Sequence, residues 1–319
     1  MILWLRRLFS GAQLTQSASI SGPSASRWIE ITNLGDHLVN IRALDMMGQR
    51  ASSPDGRFSL VSQDGNRSEG GRGRAGRYVL INDGKVVVDG RMERPQDGKV
   101  TDSGVFVLNN WGSRDALAGT FCAFLSDGRQ IVSRNFSANL YNNGLSFDGR
   151  WAVCQTCNSP GSPDSSILAV FDLLTGTEIA TWSPESGWAD GYEFPEGGNR
   201  VRLIRRERPS LDYSLQGEFL DRRKWYRDEV SRGTYYVIKR ALKVGEDTTG
   251  LPLSFLRKGT EIAITHADDR FKSDTFRLLG EIEEEAGNTG AALKAYDQAL
   301  AINPKIGVAK RAAALRKNI

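Results

Sequence analysis

The sequence has few of the residues from which many catalytic and metal sites are built. Its 319 residues include two histidines, His37 and His266, and three cysteines. A catalytic triad or a zinc site that needs several histidines is therefore excluded. The nearest approach to a phosphate-binding glycine motif, GRGRAG at 71–76, neither follows a predicted strand nor opens a predicted helix. We predict no catalytic residues, no metal ligands and no cofactor.

The three cysteines form neither a complete zinc-ligand set nor a disulfide framework. Cys154 and Cys157 form a C-x-x-C, which is half of a zinc site, but Cys122 is the only other thiol. In a straight strand, positions i and i+3 point to opposite faces about 10 Å apart, so these two thiols meet only if the chain turns at 155–156. We expect buried, reduced cysteines, with a redox or metal role as the alternative. A sparse, odd count fits a reducing cytoplasm.

Long hydrophobic runs are also lacking. No apolar run approaches the ~18–20 residues of a membrane span. The segment 1–9, MILWLRRLF, is apolar, but Arg6 and Arg7 interrupt the run of about 7–15 apolar residues that a secretory signal needs. A membrane-surface anchor is the alternative for this short run. We predict a flexible N-terminal segment over 1–27, no membrane span and a cytoplasmic location.

The clearest pattern in the chain is a set of four short apolar runs at 142–183. Asp148-Gly149 offers a tight hairpin turn, and strands are predicted at 150–156, 167–173 and 177–182. The third run is almost continuously apolar, which indicates burial on both faces. The stretch therefore predicts a four-stranded antiparallel meander.

Glycines at matching turns show that this unit is repeated. One series precedes the second strand, and its members, Gly56, Gly104, Gly149 and Gly198, are 48, 45 and 49 residues apart. The other lies between strands three and four, and its members, Gly84, Gly128, Gly176 and Gly217, are 44, 48 and 41 residues apart. A period of this size is typical of propeller blades.

The SPDGR and SFDGR turns and the FDLLTGTEI hairpin resemble those of β-propeller repeat proteins of the WD-repeat and PQQ-like type, across residues 28–226. The Gly-His and Trp-Asp pair of the WD signature is absent, so only the architecture is carried over. The resemblance implies blades around a channel, with partners bound at one end. Two further strands, at 28–34 and 38–45, either begin another blade or close the ring with the last one. We predict four to five blades.

The propeller architecture implies a binding face. Loops between strands two and three, and loops that enter each new blade, lie at the same end of the disc. The candidate residues there are Asn110, Trp111, Arg114, Tyr141, Asn142, Asn143, Trp188 and Asp190, with Asn109, Asn158 and Tyr192 beside them. Aromatic and Arg side chains dominate interface energies, so we expect a protein partner. The alternative is that Trp111 and Trp188 only pack between blades.

A basic segment provides a second candidate surface. The net charge is +4, and 200–243 holds thirteen Lys or Arg residues against six Asp or Glu residues. The candidate residues are Arg202, Arg205, Arg206 and Arg208, whose field would attract nucleic acid or an acidic partner. A solvated strand edge and helix surface is the other interpretation. The Arg-Gly steps in the loop 62–77 are of the type that contacts RNA, but a mobile surface loop is the favoured interpretation.

The hydrophobic period changes from two to about 3.6 after Trp225, which indicates a helical domain over 227–319. Helices are predicted at 228–244, 253–265, 274–286, 289–302 and 305–317. The third and fourth resemble a tetratricopeptide repeat at six of seven motif positions, which are Phe276, Leu279-Gly280, Ala292, Tyr296, Ala299 and Pro304. Glu283 departs from the motif, where an aromatic residue is usual. The resemblance implies two closely packed antiparallel helices.

We therefore predict a mainly β chain with an α C-terminal part: a β-propeller-like domain followed by a small tetratricopeptide-like domain. The predicted function is a non-enzymatic interaction or scaffold subunit that binds a protein partner. One alternative is a nucleic-acid-binding accessory subunit that uses 200–243, and a second is an enzyme with a carboxylate-based site in the propeller channel. The oligomeric state is left open.

Overall fold

A computed structural model of the chain describes residues 28–65, 74–112 and 117–317. The predicted N-terminal segment, half of the Arg-Gly loop (66–73) and Arg114 lie outside these ranges. The chain divides into two compact units, Met1–Glu218 and Phe219–Ile319. The first unit is built from β-sheets and the second from helices, so the prediction of a mainly β chain with a helical C-terminal part is confirmed.

The first unit consists of antiparallel strands. The described strands are β1 (Thr32–Asn33), β2 (Leu38–Ile41), β3 (Met46–Ser52), β4 (Phe58–Gln63), β5 (Gly76–Asn82), β6 (Lys85–Met92), β7 (Pro95–Val100), β8 (Phe106–Asn110), β9 (Gly119–Phe124), β10 (Gln130–Phe136), β11 (Leu140–Leu145), β12 (Trp151–Thr156), β13 (Leu168–Asp172), β14 (Thr177–Trp182), β15 (Gly191–Glu193), β16 (Arg200–Ile204) and β17 (Leu211–Ser214). They form four sheets, β1–β6, β7–β10, β11–β14 and β15–β17, and in each sheet hydrogen-bonded neighbours are consecutive in the chain.

The predicted meander is the third sheet. Its four strands pair in the order β11, β12, β13, β14, and every residue of β13 is buried, as its apolar run predicts. Every residue of β12 is buried as well. All eight turn glycines of the two series have positive φ angles, between 63° and 90°. An added Cβ is unfavourable in that region, which explains why glycine recurs there. The repeat register is therefore confirmed.

The two ends of the repeat array differ from the prediction. The chain at 28–45 neither begins a separate blade nor pairs with the last sheet, because β2 hydrogen-bonds to β3 and extends the first sheet to six strands. Val39 and Ile41 are buried there against Met46 and Val61. Strand β2 ends at Ile41, since Arg42–Leu44 forms a 3-10 helix. The last sheet has three strands in the described chain, and no strand element follows Gly217 before the first helix.

Neighbouring sheets pack through alternating faces of their strands. Phe106 and Leu108 of β8 face the first sheet, whereas Val107 between them faces the third. Phe106 stacks on Phe124 with ring centroids 4.8 Å apart, and Phe121 stacks on Phe171 at 4.9 Å. The first strand of each later sheet packs against the sheet before it: β7 contacts β3 and β4, β11 contacts β7 and β8, and β15 contacts β11. The four described sheets form an open series and do not close into a ring.

The second unit contains the helices α1 (Arg222–Ser231), α2 (Tyr235–Val244), α3 (Glu246–Thr249), α4 (Leu253–His266), α5 (Asp269–Glu285), α6 (Thr289–Ile302) and α7 (Ala309–Arg316). The prediction of a single helix at 228–244 is wrong, because the helix is interrupted between α1 and α2 at Gly233, which has φ 72°. A Cβ at Gly233 would lie 2.7 Å from the backbone nitrogen of Ala263, so glycine lets α4 approach closely. Helix α1 begins five residues before the predicted domain boundary at 227.

Helices α5 and α6 form the predicted closely packed pair. A Cβ at Gly280 would lie 2.3 Å from the Tyr296 ring, and Ala292, Tyr296 and Ala299 are fully buried. Glu283, which departs from the motif, is buried and pairs with Arg257 of α4 at 2.5 Å. This ion pair, in place of an aromatic contact, ties α5 to the preceding helix.

Candidate functional site

Two exposed aromatic rings lie together on the third and fourth repeats. Tyr141 on β11 is 43% exposed, Trp188 in the loop before β15 is 45% exposed, and their ring centroids are 6.1 Å apart. The indole Nε1 of Trp188 donates a hydrogen bond to the carbonyl oxygen of Thr156 at 2.9 Å. The Trp188 ring is therefore held at the end of β12, with much of its surface open to solvent.

A hydrogen-bonded network adjoins this aromatic pair. The Tyr192 hydroxyl lies 2.8 Å from both Asn142 Oδ1 and Gln155 Oε1. Asn142 Nδ2 donates to the carbonyl oxygen of Ala189 at 2.7 Å, and the Ala189 N–H donates to Gln155 Oε1 at 3.0 Å. Burial raises the pKa of the Tyr192 hydroxyl well above its usual value, so this group remains a neutral hydrogen-bond donor. The network fixes the loop 187–190 that carries Trp188.

Asn143 lies in the interior rather than on the predicted face. It is 1% exposed, and its backbone N–H and its Nδ2 donate to Asp97 Oδ2 and to the Asp97 carbonyl oxygen, both at 2.7 Å. It therefore joins the second and third sheets. Asn109 is also fully buried, with its Oδ1 3.9 Å from the Cys154 sulfur. Successive side chains of a strand point to opposite faces, which separates Asn143 from its neighbour Asn142.

Asn110 and Trp111 mark the end of the second sheet. Asn110 Oδ1 accepts hydrogen bonds from the backbone N–H groups of Arg94, at 2.9 Å, and Gly112, at 3.3 Å. Trp111 is half-buried against the apolar cluster between the second and third sheets, and the Arg94 guanidinium lies 5.4 Å from its ring centroid. Trp111 thus packs largely as an inter-sheet residue. Arg114 lies outside the described residues.

Several charges of the basic segment are neutralised within the fold. Arg202 forms an ion pair with Asp212 at 2.7 Å, and Arg200 pairs with the same carboxylate at 3.2 Å. Arg205 donates to the carbonyl oxygen of Pro209 at 3.2 Å. These side chains brace the fourth sheet.

The basic segment 200–243 also contacts the loop that carries Trp188. The backbone N–H of Arg206 donates to the carboxylate of Asp190, and the Asp190 N–H donates to the carbonyl oxygen of Ile204 at 2.8 Å. Arg208 closes a turn through its backbone N–H, which donates to the carbonyl oxygen of Arg205 at 3.3 Å. Asp190 therefore anchors the loop of Trp188 to β16.

The three cysteines are free thiols. Cys122 and Cys154 are buried, and Cys157, which follows the end of β12, is half-buried. Burial raises the pKa of the Cys122 thiol to about 12 and that of Cys154 well above its usual value. Both are therefore protonated and weakly nucleophilic near neutral pH. In the described chain no cluster of His, Cys, Asp or Glu has the geometry of a metal site.

A cleft of about 890 Å³ is lined by residues from the first three sheets. Residues of β3, β7 and β11 line it, together with the turn between β1 and β2. Sequence reasoning did not find its cationic residues, Arg50 and Lys99, because they occur in ordinary strand contexts. Only the packing of β3 against β7 brings them to one cavity.

Comparison with family models and with curated protein sequences gives no match for this chain. The structure itself defines a class: a series of antiparallel β-sheets followed by a helical unit. None of the helices in the described chain combines the length and apolar character required to cross a membrane.

Proposed function

We propose that the protein is a non-enzymatic interaction subunit that binds a protein partner through the Tyr141–Trp188 face. The face consists of the two exposed rings together with Asn142, Asp190 and Tyr192. The observation that carries the proposal is an exposed aromatic pair held in place before any partner arrives. Such rigid rings bury a large apolar area at little cost in side-chain entropy.

The architecture supports the same proposal. We propose that the four sheets are propeller-type blades, since each is a meander of consecutive antiparallel strands and the first strand of each later sheet packs against the sheet before it. We further propose that α5 and α6 are a tetratricopeptide-like pair, on the close approach of Gly280 to the Tyr296 ring. Both are architectures that present surfaces to other proteins. This support is by analogy of fold, so the aromatic face provides the direct test.

The test compares partner capture by three forms of the full chain: the wild type, a double variant of the aromatic face and a control variant. Tyr141→Ala combined with Trp188→Ala removes the aromatic face, and Leu174→Ala serves as the control because Leu174 is 80% exposed in the β13–β14 turn. Loss of two interface anchors should weaken the binding of a purified partner by at least about 2 kcal/mol, or about 30-fold in Kd. Capture is performed at low and high salt, followed by mass spectrometry and titration of the identified partner.

We expect a partner that resists high salt, is retained by Leu174→Ala and is lost by the double variant with an unchanged melting temperature. A partner bound equally by all three forms would contradict the assignment of the face. Recovery of nucleic acid alone, with affinity that falls steeply with salt, would also contradict it.

A further inference from the structure

The cleft lined by β3, β7 and β11 has the size and polar lining of a small-molecule site. Its volume of about 890 Å³ is within the range of roughly 300–1,000 Å³ that ligand pockets occupy. Amides, hydroxyls and charged groups line it, including Gln49, Ser62, Gln96 and Thr101. The Tyr141–Trp188 face has no residue in this lining, so the cleft is a separate site.

Arg50 is the unusual charge in this cleft. Its Nε donates to Ser59 Oγ at 3.2 Å, and its Nη1 lies 3.5 Å from Asn33 Oδ1. Within residues 28–65, 74–112 and 117–317, no carboxylate forms an ion pair with it. In the same unit, Arg77 pairs with Asp89 at 2.5 Å and Arg134 with Asp164 at 3.1 Å. Arg50 therefore has no carboxylate partner in the described chain and keeps unused N–H donors at the wall of a cavity.

Lys99 brings a second cation to the lining. Its Nζ lies 2.6 Å from Asp97 Oδ1, while the other carboxylate oxygen of Asp97 accepts from the Asn143 N–H. Protein groups thus occupy both oxygens of Asp97, whereas Nζ keeps two further N–H donors. Asp97 has φ 47° within an irregular stretch of the β7–β8 pairing, a backbone conformation that is costly for a non-glycine residue.

Asp36, in the exposed turn between β1 and β2, is the other carboxylate of the lining. Asp36 and the adjacent His37 belong to the turn that leads into β2. Because Lys99 pairs with Asp97, Arg50 is the cation of the lining that has no carboxylate partner in the described chain. A guanidinium matches a carboxylate or phosphate with two parallel hydrogen bonds.

We propose that this cleft binds a small polar molecule that carries a carboxylate or phosphate group, with Arg50 as the anchor for the anion and Lys99 as a second donor. The neutral amides and hydroxyls of the lining then contact the polar remainder of the molecule. The site is independent of the aromatic face, so either assignment can fail while the other stands.

Calorimetric titration of the full chain with succinate and with inorganic phosphate tests the proposal. The buffer has low ionic strength and matched chloride, because salt screens exposed charges. Wild type should bind at least one of the two anions saturably, and the anion that binds identifies the charged group. Arg50→Gln should weaken this binding at least tenfold, and Lys99→Gln at least threefold.

Arg129→Gln is the matched control, since Arg129 is exposed in the β9–β10 turn and absent from the lining of the cleft. It should leave the affinity unchanged. If Arg50→Gln does not fold, Arg50→Lys replaces it and should still weaken binding, because an ammonium cannot form the paired hydrogen bonds. The absence of saturable binding of both anions, or equal weakening by the Arg50 and Arg129 variants, would overturn the proposal.

Discussion

Ser146 and Asp148 close the turn before β12 through a set of short hydrogen bonds. Ser146 Oγ donates to Asp148 Oδ1 at 2.6 Å and accepts from the Trp151 N–H at 2.8 Å. Ser53 and Asp55 make the same contacts before β4, at 2.6 Å and, to the Phe58 N–H, 3.0 Å. The Ser-x-Asp-Gly sequence is therefore a local device whose side chains satisfy the backbone of the hairpin.

These carboxylates make the first unit sensitive to acid. Burial raises the pKa of Asp148, but hydrogen bonds from Ser146 and the Arg150 N–H lower it more, so the net pKa is lowered. Asp164 behaves alike, since burial is outweighed by hydrogen bonds from Ser137 and by the charge of Arg134. A folded pKa below the unfolded value of about 3.9 gives stability that is present above that pH and lost as pH falls through the folded pKa.

We predict that the urea midpoint of the β unit is constant from pH 7 to about 5 and falls as pH drops below about 4. Asp148→Asn should reduce that dependence, because an amide does not titrate. Fluorescence-monitored unfolding across this pH range measures both. A midpoint that does not change between pH 5 and 3, or a variant with the full wild-type slope, would contradict the assignment.

At the scale of elements, the α5–α6 pair depends on one small residue. Gly280 allows the Tyr296 ring to pack against the backbone of α5, and the Tyr296 hydroxyl bonds Glu284 Oε2 at 2.8 Å. Arg311 of α7 lies over the same ring, with its guanidinium 5.8 Å from the centroid. Three consecutive helices thus meet at one aromatic side chain.

We predict that Gly280→Ala destabilises the helical unit by about 1–3 kcal/mol, because the new Cβ overlaps the Tyr296 ring. The predicted loss of stability is the net effect, after the gain of about 1 kcal/mol that alanine brings to a helix interior. Gly290→Ala in α6 is the control, since a Cβ there meets no atom within 4 Å. It should be neutral or stabilising in urea unfolding followed by far-UV circular dichroism. Equal stability of the two variants would contradict the close approach.

At the scale of the whole molecule, each unit has its own apolar core. Leu168 of β13 is fully buried in the first unit, and Tyr296 is fully buried in the second. We expect the units to unfold as separate cooperative transitions. Leu168→Ala should lower the β transition by about 2–5 kcal/mol, and Gly280→Ala should lower only the helical one.

Differential scanning calorimetry of the two single variants and their combination measures this independence. The effects should add within about 0.5 kcal/mol, as for sites without shared partners. A single transition shifted by both substitutions would show that the units unfold together.

The sequence by itself determined the local devices of this chain. The turn glycines, the meander at 142–183 and the helix pair at Gly280 follow from backbone sterics and side-chain periodicity that are local in the sequence. The tertiary structure decided which distant elements meet. It placed β2 on β3, turned Asn143 inward and Asn142 toward Tyr192, paired Glu283 with Arg257, and brought Arg50 and Lys99 to one cleft. Strand alternation shows that neighbouring side chains point to opposite faces, but which face is buried depends on the packing of sheets far apart in sequence.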